Sequence, residues 1–181
     1  PVATYQSPVL PTTVFSEHTL GYGTGVVIAD GWLLTAKHTS TVLAVNEQLV
    51  MPDAYYEHPT ADLALLKIQG LKGSVTMCLA PPKFGDKLYA VGWHMGKTKM
   101  LTSGHQGEGR WMSAQVLPGA SGGPVLDQHG SLVGIVEAVR YVRARDTETG
   151  AFFDRIHTPQ AHLARYEPMT KDVQEWIKEK I

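Results

Sequence analysis

Short runs of β-forming residues, separated by glycine and proline, are the feature that most limits how this 181-residue chain can fold. Residues 25–29 (Gly-Val-Val-Ile-Ala) and 32–35 (Trp-Leu-Leu-Thr) are two such runs, and Asp30-Gly31 stands between them. An Asp-Gly pair between two apolar runs is a strong signal for a tight hairpin. The pattern therefore predicts an antiparallel hairpin at residues 25–35.

Similar short runs of β-forming residues continue along most of the chain. Further strands are predicted over residues 42–50, 61–68, 75–79, 87–92, 99–103, 110–114, 125–126, 132–141 and 151–156. Residues 1–20 carry three prolines and little pattern, so we expect an extended arm there. Val173, Trp176 and Ile177 fall on one face of a 3.6-residue period, which predicts a helix at the C-terminal end.

About a dozen short strands, a break at Pro81-Pro82 and a terminal helix favour an all-β fold built from two small antiparallel barrels. The length suits one compact unit. We therefore predict a single domain over residues 1–181. Its first barrel would span about 15–80, its second about 84–160, and its helix 171–181.

Charge and cysteine content limit the partners and compartments. The net charge is −1 and no long run of one sign occurs, so neither nucleic acid nor an anionic membrane is an expected partner. No apolar stretch reaches the roughly 18 to 20 residues of a membrane span. Cys78 is the only cysteine, so no internal disulfide can form. This favours the cytoplasm, an infected host cell or a bacterial envelope, and leaves the choice among them and the oligomeric state open.

Three segments offer the parts of a serine nucleophile site, which needs a base, an acid that orients the base, and backbone donors for an oxyanion. His38 stands just beyond an apolar strand, and Asp62 at the mouth of another, where a partly buried carboxylate needs a partner. Ser121 lies in a Pro-Gly-Ala-Ser-Gly-Gly-Pro segment whose glycines permit unusual backbone angles. Taken singly, each also fits a structural role: a packing histidine, a capped loop end and a plain glycine turn.

Taken in order, these segments resemble the trypsin-like superfamily of serine endopeptidases. Residues 35–38 (Thr-Ala-Lys-His) are similar to the family's Thr-Ala-Ala-His segment, and residues 62–66 to Asp-Ile/Leu-Ala-Leu-Leu. Residues 119–124 (Gly-Ala-Ser-Gly-Gly-Pro) resemble Gly-Asp-Ser-Gly-Gly-Pro. Residues 85–92 look like the disulfide-free, HtrA-like bacterial members, and the short spacings like viral and phage relatives. The resemblance covers roughly residues 21–181.

The resemblance implies a chymotrypsin-like fold of two six-stranded barrels and an acyl-enzyme mechanism on a protein or peptide substrate. His38 would act as general base and acid, Asp62 would orient it, and Ser121 would be the nucleophile. The amides of Gly119 and Ser121 would form the oxyanion hole. It implies neither a cofactor nor a metal.

Two departures from the family pattern concern activation. Ala120 stands where zymogen-activated members carry an aspartate that receives the new N-terminal ammonium, and the chain starts Pro1-Val2 rather than Ile-Val-Gly-Gly. We therefore expect activity that does not depend on N-terminal cleavage.

The specificity pocket is assigned by the same resemblance to Gln115, Val116, Leu117, Val136, Glu137, Ala138 and Val139. No aspartate stands where trypsin-like members select Arg or Lys, and Val136 replaces the histidine of glutamate-specific members. Val116 and Val136 favour an apolar or small P1 side chain. Residues 137–139 should pair with an extended substrate backbone. Glu137 takes the place of a usual Ser or Thr, and its orientation and that of Lys37 stay open.

The sequence also fits three alternatives to this interpretation. Gly-x-Ser-x-Gly also matches the nucleophile elbow of α/β-hydrolases, with Asp154 and His157 as partners, but that fold needs a helix directly after the serine. A trypsin-like fold could also serve as a non-catalytic binding or structural module. Finally, eight histidines raise the question of a metal, yet none pairs with another ligand at a recognised spacing, so no metal site is predicted.

Overall fold

The computed structural model describes residues 10–18, 21–78, 80–94, 98–116, 119–141, 143–145, 148, 152–154 and 162–181. Within them, nearly all regular structure is β. The strands are β1 Thr13–His18, β2 Gly21–Ala29, β3 Trp32–Thr35, β4 Val42–Val45, β5 Gln48–Leu49, β6 Ala54–Glu57, β7 Ala64–Lys67, β8 Lys87–His94, β9 Thr98–His105, β10 Trp111–Met112, β11 Pro124–Leu126, β12 Leu132–Tyr141, β13 Arg143–Arg145, β14 Phe152–Asp154 and β15 His162–Pro168. A 3₁₀ turn spans Lys37–Thr39, and helix α1 spans Lys171–Lys180.

The first sheet is antiparallel and has the order β5-β4-β1-β2-β3-β7-β6. Its β2–β3 hairpin turns at Asp30-Gly31, where Gly31 has a φ of 80°, so the predicted hairpin is confirmed. The expected arm is wrong in its second half, because Thr13–His18 form β1 and pair with both β2 and β4. Residues 1–9 lie outside the described part of the chain.

The predicted strand over residues 42–50 is two strands joined by a tight turn. Asn46 and Glu47 both have positive φ angles, 48° and 68°, and connect β4 to β5. Two positive φ angles in a two-residue loop are typical of hairpins whose twist matches that of the strands. Neither turn residue is a glycine, the residue that usually signals such a turn, so the sequence pattern did not predict it.

The second sheet has the order β10-β15-β12-β11-β8-β9, and β13 pairs with β14 apart from it. Its β15 was not predicted, because Arg165 and Glu167 interrupt the apolar pattern; the two residues take up roles at the site described below. The predicted strand at residues 75–79 is reduced to a single bridge between Met77 and Leu132. Helix α1 follows, with Val173, Trp176 and Ile177 buried.

One apolar core joins the two sheets. It contains Val26, Leu34 and Leu65 from the first sheet, together with residues such as Val125 and Ile135 from the second. The all-β, chymotrypsin-like fold with a C-terminal helix is confirmed: two curled antiparallel sheets hold seven and six strands in the described residues, rather than six each. The residue limits assigned to the two barrels stay a prediction.

Two further findings concern cysteine and the membrane. Cys78 is buried and unpaired, in agreement with a fold that has no disulfide. In the described part of the chain, no helix combines the length and the apolar character needed to cross a membrane.

Candidate active site

His38 and Asp62 contact each other twice. The His38 ring Nδ1 lies 2.6 Å from Asp62 Oδ2, and the His38 backbone N–H donates to Asp62 Oδ1 at 3.1 Å. The first contact fixes the plane of the ring and the second fixes its backbone. The imidazole is half exposed while the carboxylate is mostly covered, so one ring edge stays open to a reactant.

Local hydrogen bonds hold the 3₁₀ turn that carries His38. The Thr39 N–H donates to the Ala36 carbonyl at 3.1 Å, and Ser40 Oγ donates to the Lys37 carbonyl at 2.6 Å. The Lys37 N–H in turn donates to the Asp62 carbonyl at 3.2 Å. The base segment and the acid segment are therefore joined by main-chain as well as side-chain contacts.

The electrostatics of the pair favour a charged imidazole and a charged carboxylate. The hydrogen bond with Asp62 raises the pKa of His38 above its ordinary 6.5, against the opposing effect of burial, and the charges of Asp62 and Glu137 add to the rise. Burial alone would raise the pKa of Asp62, but the hydrogen bonds and charge of His38, with the charge of Lys37, lower it.

The side chain of Lys37 lies on the Asp62 side of the turn, where its Nζ donates to the His58 carbonyl at 2.8 Å. Its charge helps to lower the pKa of Asp62, whereas the raised pKa of His38 comes from Asp62 and Glu137.

Contacts from the second sheet and the helix hold the loop that carries Asp62. The buried ring of His58 accepts the Ala61 N–H at Nδ1 (2.9 Å), and its Nε2 lies 3.0 Å from Asp172 on α1. Glu167, on β15, accepts the Asp62 N–H at 3.2 Å. The position of the carboxylate thus depends on elements more than 100 residues away in the sequence.

Ser121 lies in a turn packed directly on the base segment. Gly122 has a φ of 90°, and a β-carbon there would overlap the Thr24 carbonyl and the Thr35 hydroxyl. Only glycine allows Ser121 to come this near the strand that ends before His38.

The hydroxyl of Ser121 has its hydrogen-bond partner on β12. Its Oγ donates to the Glu137 carbonyl at 3.4 Å, and within the described residues no hydrogen bond joins it to His38. The structure therefore brings His38 into contact with Asp62 and places Ser121 on the adjoining turn, where its hydroxyl bonds to the Glu137 carbonyl. Catalytic hydrogen bonds in ligand-free sites are often long or absent and form when a substrate binds.

The backbone around Ser121 leaves two amides available. Among the described residues, the N–H groups of Gly119 and Ser121 donate no hydrogen bond. Gly119 has a φ of 99°, and its carbonyl accepts a hydrogen bond from the Thr24 hydroxyl. Free amides on such a turn can stabilise a negatively charged oxygen.

The structure describes only some of the residues assigned to the specificity pocket. Gln115 and Val116 line a small cavity together with Ala120 and β8–β9. Val136 is fully buried, and its N–H and carbonyl bond to the turn at Gly123 and Gly122. Leu117 and the side chains of Ala138 and Val139 lie outside the described residues, so the pocket assignment stays a prediction.

Glu137 is the extra residue of a β-bulge between Val136 and Ala138, which redirects its side chain. Its Oε2 lies 3.3 Å from Arg165 Nε and 3.7 Å from an Arg110 guanidinium nitrogen. Burial, followed by the charge of Glu167, raises the pKa of Glu137.

Sequence reasoning missed the residues that hold the site from a distance, namely Thr24, His58, Arg110 and Glu167. Their contacts join segments up to 114 positions apart, and no local pattern predicts such pairs. For metals, no three His, Cys, Asp or Glu side chains of the described residues cluster as a potential ion site.

A model of the trypsin-like peptidase domain matches residues 23–135, which is more than half of the chain. The chain belongs to the trypsin-like peptidase family. The α/β-hydrolase alternative is wrong, because the residues after Ser121 lead into strand β11 of an all-β fold rather than into a helix. Of its two proposed partners, His157 lies outside the described residues.

The chain is 28% identical over 134 residues to the uncharacterized protein y4bJ of Sinorhizobium fredii, covering 63% of this chain and 21% of that protein. It thus spans about a fifth of the length of this curated relative.

Solved protease structures share the fold. The HtrA-type protease AlgW with a tripeptide has a TM-score of 0.66 and 22% identity over 96% of this chain and 60% of its own. The serine endoprotease from Yersinia pestis has a TM-score of 0.63 and 20% identity, covering 96% and 63%. The Rv3671c protease from M. tuberculosis, in its active form, has a TM-score of 0.61 and 18% identity, covering 92% and 79%.

Proposed function

We propose that this chain is a serine endopeptidase that hydrolyses peptide bonds with Ser121 as nucleophile, His38 as base and acid, and Asp62 as the group that orients His38. The observation that carries the proposal is the double contact between His38 and Asp62, with Ser121 on the turn packed against the same strand end. Membership of the trypsin-like peptidase family supports it.

The reaction begins with a rotation of Ser121. Asp62 accepts the Nδ1–H of His38, which leaves Nε2 as the basic nitrogen on the exposed ring edge. When the Ser121 hydroxyl turns from the Glu137 carbonyl to Nε2, the ring takes its proton while Oγ attacks the substrate carbonyl carbon. The proton then passes from Nε2 to the departing amine, and an acyl-enzyme remains. Water repeats the sequence, with His38 as base and Ser121 as leaving group.

The backbone completes the chemistry. The amides of Gly119 and Ser121 donate to the oxyanion of each tetrahedral intermediate. An extended substrate pairs with the main chain at residues 137–139, and an apolar or small P1 side chain enters the pocket assigned to residues 115–117 and 136–139. No step requires a cofactor.

Activation by N-terminal cleavage is not part of this proposal. Ala120 is buried, and a β-carbon at Gly92 would lie only 2.8 Å from its methyl group. A carboxylate buried at this position would need a cation as partner, whereas a methyl group needs none. The turn can therefore be stable without an ammonium group.

The test combines a fluorophosphonate probe with Ser121→Ala, His38→Ala and wild type. We expect wild type to label, and each variant to lose labelling and on the order of 10⁴-fold or more in peptide hydrolysis. Circular dichroism controls for folding. Labelling that survives Ser121→Ala would contradict the nucleophile, and a folded wild type that never labels would favour the non-catalytic binding module. Profiling on a peptide library would contradict the pocket assignment by showing an Arg or Lys preference at P1.

A further inference from the structure

Thr24 is a fully buried residue of β2 that passes directly beneath the nucleophile turn. Its N–H donates to the Ser121 carbonyl at 2.9 Å. Its hydroxyl donates to the Gly119 carbonyl at 2.7 Å and accepts the Trp93 N–H at 3.0 Å. The Thr24 hydroxyl, which belongs to the first sheet, therefore acts both as donor and as acceptor in hydrogen bonds to the second half of the chain.

The same residue also contacts the strand that leads to the base. Its carbonyl accepts the hydroxyl of Thr35 at 2.8 Å, and Thr35 ends β3, three residues before His38. Thr24 therefore bonds to the nucleophile turn on one side and to the base segment on the other.

Of these contacts, the hydrogen bond to the Gly119 carbonyl is the one that bears on the proposed oxyanion hole. This carbonyl belongs to the Gly119–Ala120 peptide, which lies between the two amides assigned to the oxyanion hole. The next peptide is fixed separately, because the Ala120 carbonyl accepts the Gly123 N–H at 3.0 Å, and in a trans peptide this sets the direction of the Ser121 N–H. The Gly119–Ala120 unit has a φ of 99° at a residue without a side chain, so it needs an external partner to hold one orientation.

We propose that Thr24 is a positioning residue for the oxyanion hole, whose hydroxyl holds the Gly119–Ala120 peptide and so fixes the Gly119 amide relative to the separately held Ser121 amide. The inference rests on the proposed peptidase function and deepens it. A valine at this position keeps the shape and loses the hydroxyl. It leaves the Gly119 carbonyl and the Trp93 N–H without their partner, so the Gly119–Ala120 peptide loses the side-chain bond that fixes its orientation.

The experiment compares Thr24→Val with Thr24→Ser, which restores the hydroxyl. Thr13→Val is the matched control, because Thr13 is buried on the neighbouring strand and its hydroxyl has no hydrogen-bond partner in the described structure. The probes are a valyl peptide p-nitroanilide, which gives kcat and KM, and the corresponding peptide boronate, which forms a tetrahedral adduct with Ser121.

For Thr24→Val we expect kcat to fall about 10- to 100-fold, with KM changed less than about threefold. The inhibition constant of the boronate should rise by about the factor lost in kcat/KM, since both depend on the oxyanion hole. Thr24→Ser should remain within about threefold of wild type, and Thr13→Val should match it.

Two results would overturn the inference. One is a folded Thr24→Val protein with unchanged kcat and boronate affinity. The other is a loss of thermal stability with no loss of boronate affinity, which would assign Thr24 a structural role only. Should Thr24→Val not fold, Thr24→Ala is measured in the same way. A wild type that neither labels with fluorophosphonate nor binds the boronate would instead contradict the proposed function, and the inference with it.

Discussion

Glu137 shows how a carboxylate is accommodated where members of the family usually carry Ser or Thr. The bulge at this position sends the side chain towards Arg110 and Arg165, both at ion-pair distance. Its main-chain carbonyl still faces Ser121. The backbone can therefore keep its part in the proposed site while the side chain joins a separate charge cluster.

Glu137 should also contribute to the acid limit of activity, after the larger effect of Asp62. The charge of Glu137 raises the pKa of His38 and is itself surrounded by Asp62, Glu167, Arg110 and Arg165. Because His38 acts as a base only when neutral, a raised pKa places the acid limb of kcat/KM above pH 6.5. In Glu137→Gln the imidazolium loses a stabilising charge, so the midpoint should move to lower pH. A pH–rate profile measures it.

The matched control is Glu179→Gln, which removes an exposed carboxylate from α1. This variant should keep the wild-type midpoint. An unchanged midpoint in Glu137→Gln, or an equal shift in both variants, would contradict the assignment.

At the residue scale, the sequence could predict what lies in short, patterned segments. His38, Asp62 and Ser121 each stand in a run of four to six ordered positions, and the structure brings the first two into contact. Thr24 and Glu167 could not be predicted, because their partners lie 95 and 105 positions away. The direction of Glu137 depends on a bulge, which only the pairing of β12 with β15 reveals.

At the level of elements, helix α1 begins with a side-chain cap. Thr170 has extended backbone angles, and its hydroxyl accepts the Val173 N–H at 3.2 Å. Such a hydroxyl satisfies one of the amides that every helix start leaves without a partner. Asp172, in the same turn, reaches His58 in the loop that carries Asp62.

We expect Thr170→Ala to lower the free energy of unfolding by about 0.5–2 kcal/mol, because the Val173 amide loses its acceptor. Thr170→Ser keeps the hydroxyl and should lie near wild type. Urea denaturation gives both values. If the serine and alanine variants were equally stable, the cap would have no measurable energetic role.

The elements that the sequence predicted well are those whose signal is local. The β2–β3 hairpin has its Asp-Gly turn, and α1 has its apolar face. In β6, by contrast, three of four residues are exposed, so no alternation of apolar and polar residues marks the strand. The strand is stabilised by its pairing with β7, which the sequence of β6 alone does not predict.

On the scale of the whole molecule, both sheets contribute to one large core cluster, while a second cluster belongs to the first sheet. Unfolding of either sheet would therefore disrupt the shared cluster. Leu65 of β7 is fully buried in the same cluster as Val125 and Ile135 of the second sheet. Small proteins with a continuous core usually unfold in one step.

We therefore expect a single unfolding transition in urea, with tryptophan fluorescence and far-ultraviolet circular dichroism giving the same midpoint. Leu65→Ala should destabilise by about 2–5 kcal/mol and shift both signals together. Leu49→Ala is the control, because Leu49 is 90% exposed and should change little. Two separate transitions, or a shift confined to one signal, would show that the sheets unfold independently.

The division of the proposed site between the two sheets has a consequence for the order of synthesis. A ribosome releases the proposed base and acid before the nucleophile, and the nucleophile before Glu167, which holds the Asp62 amide. The contacts between Thr24 and the turn can form only after that turn has emerged. A nascent chain therefore carries His38 and Asp62 before it carries either the proposed nucleophile or the residues that hold the Asp62 loop in place.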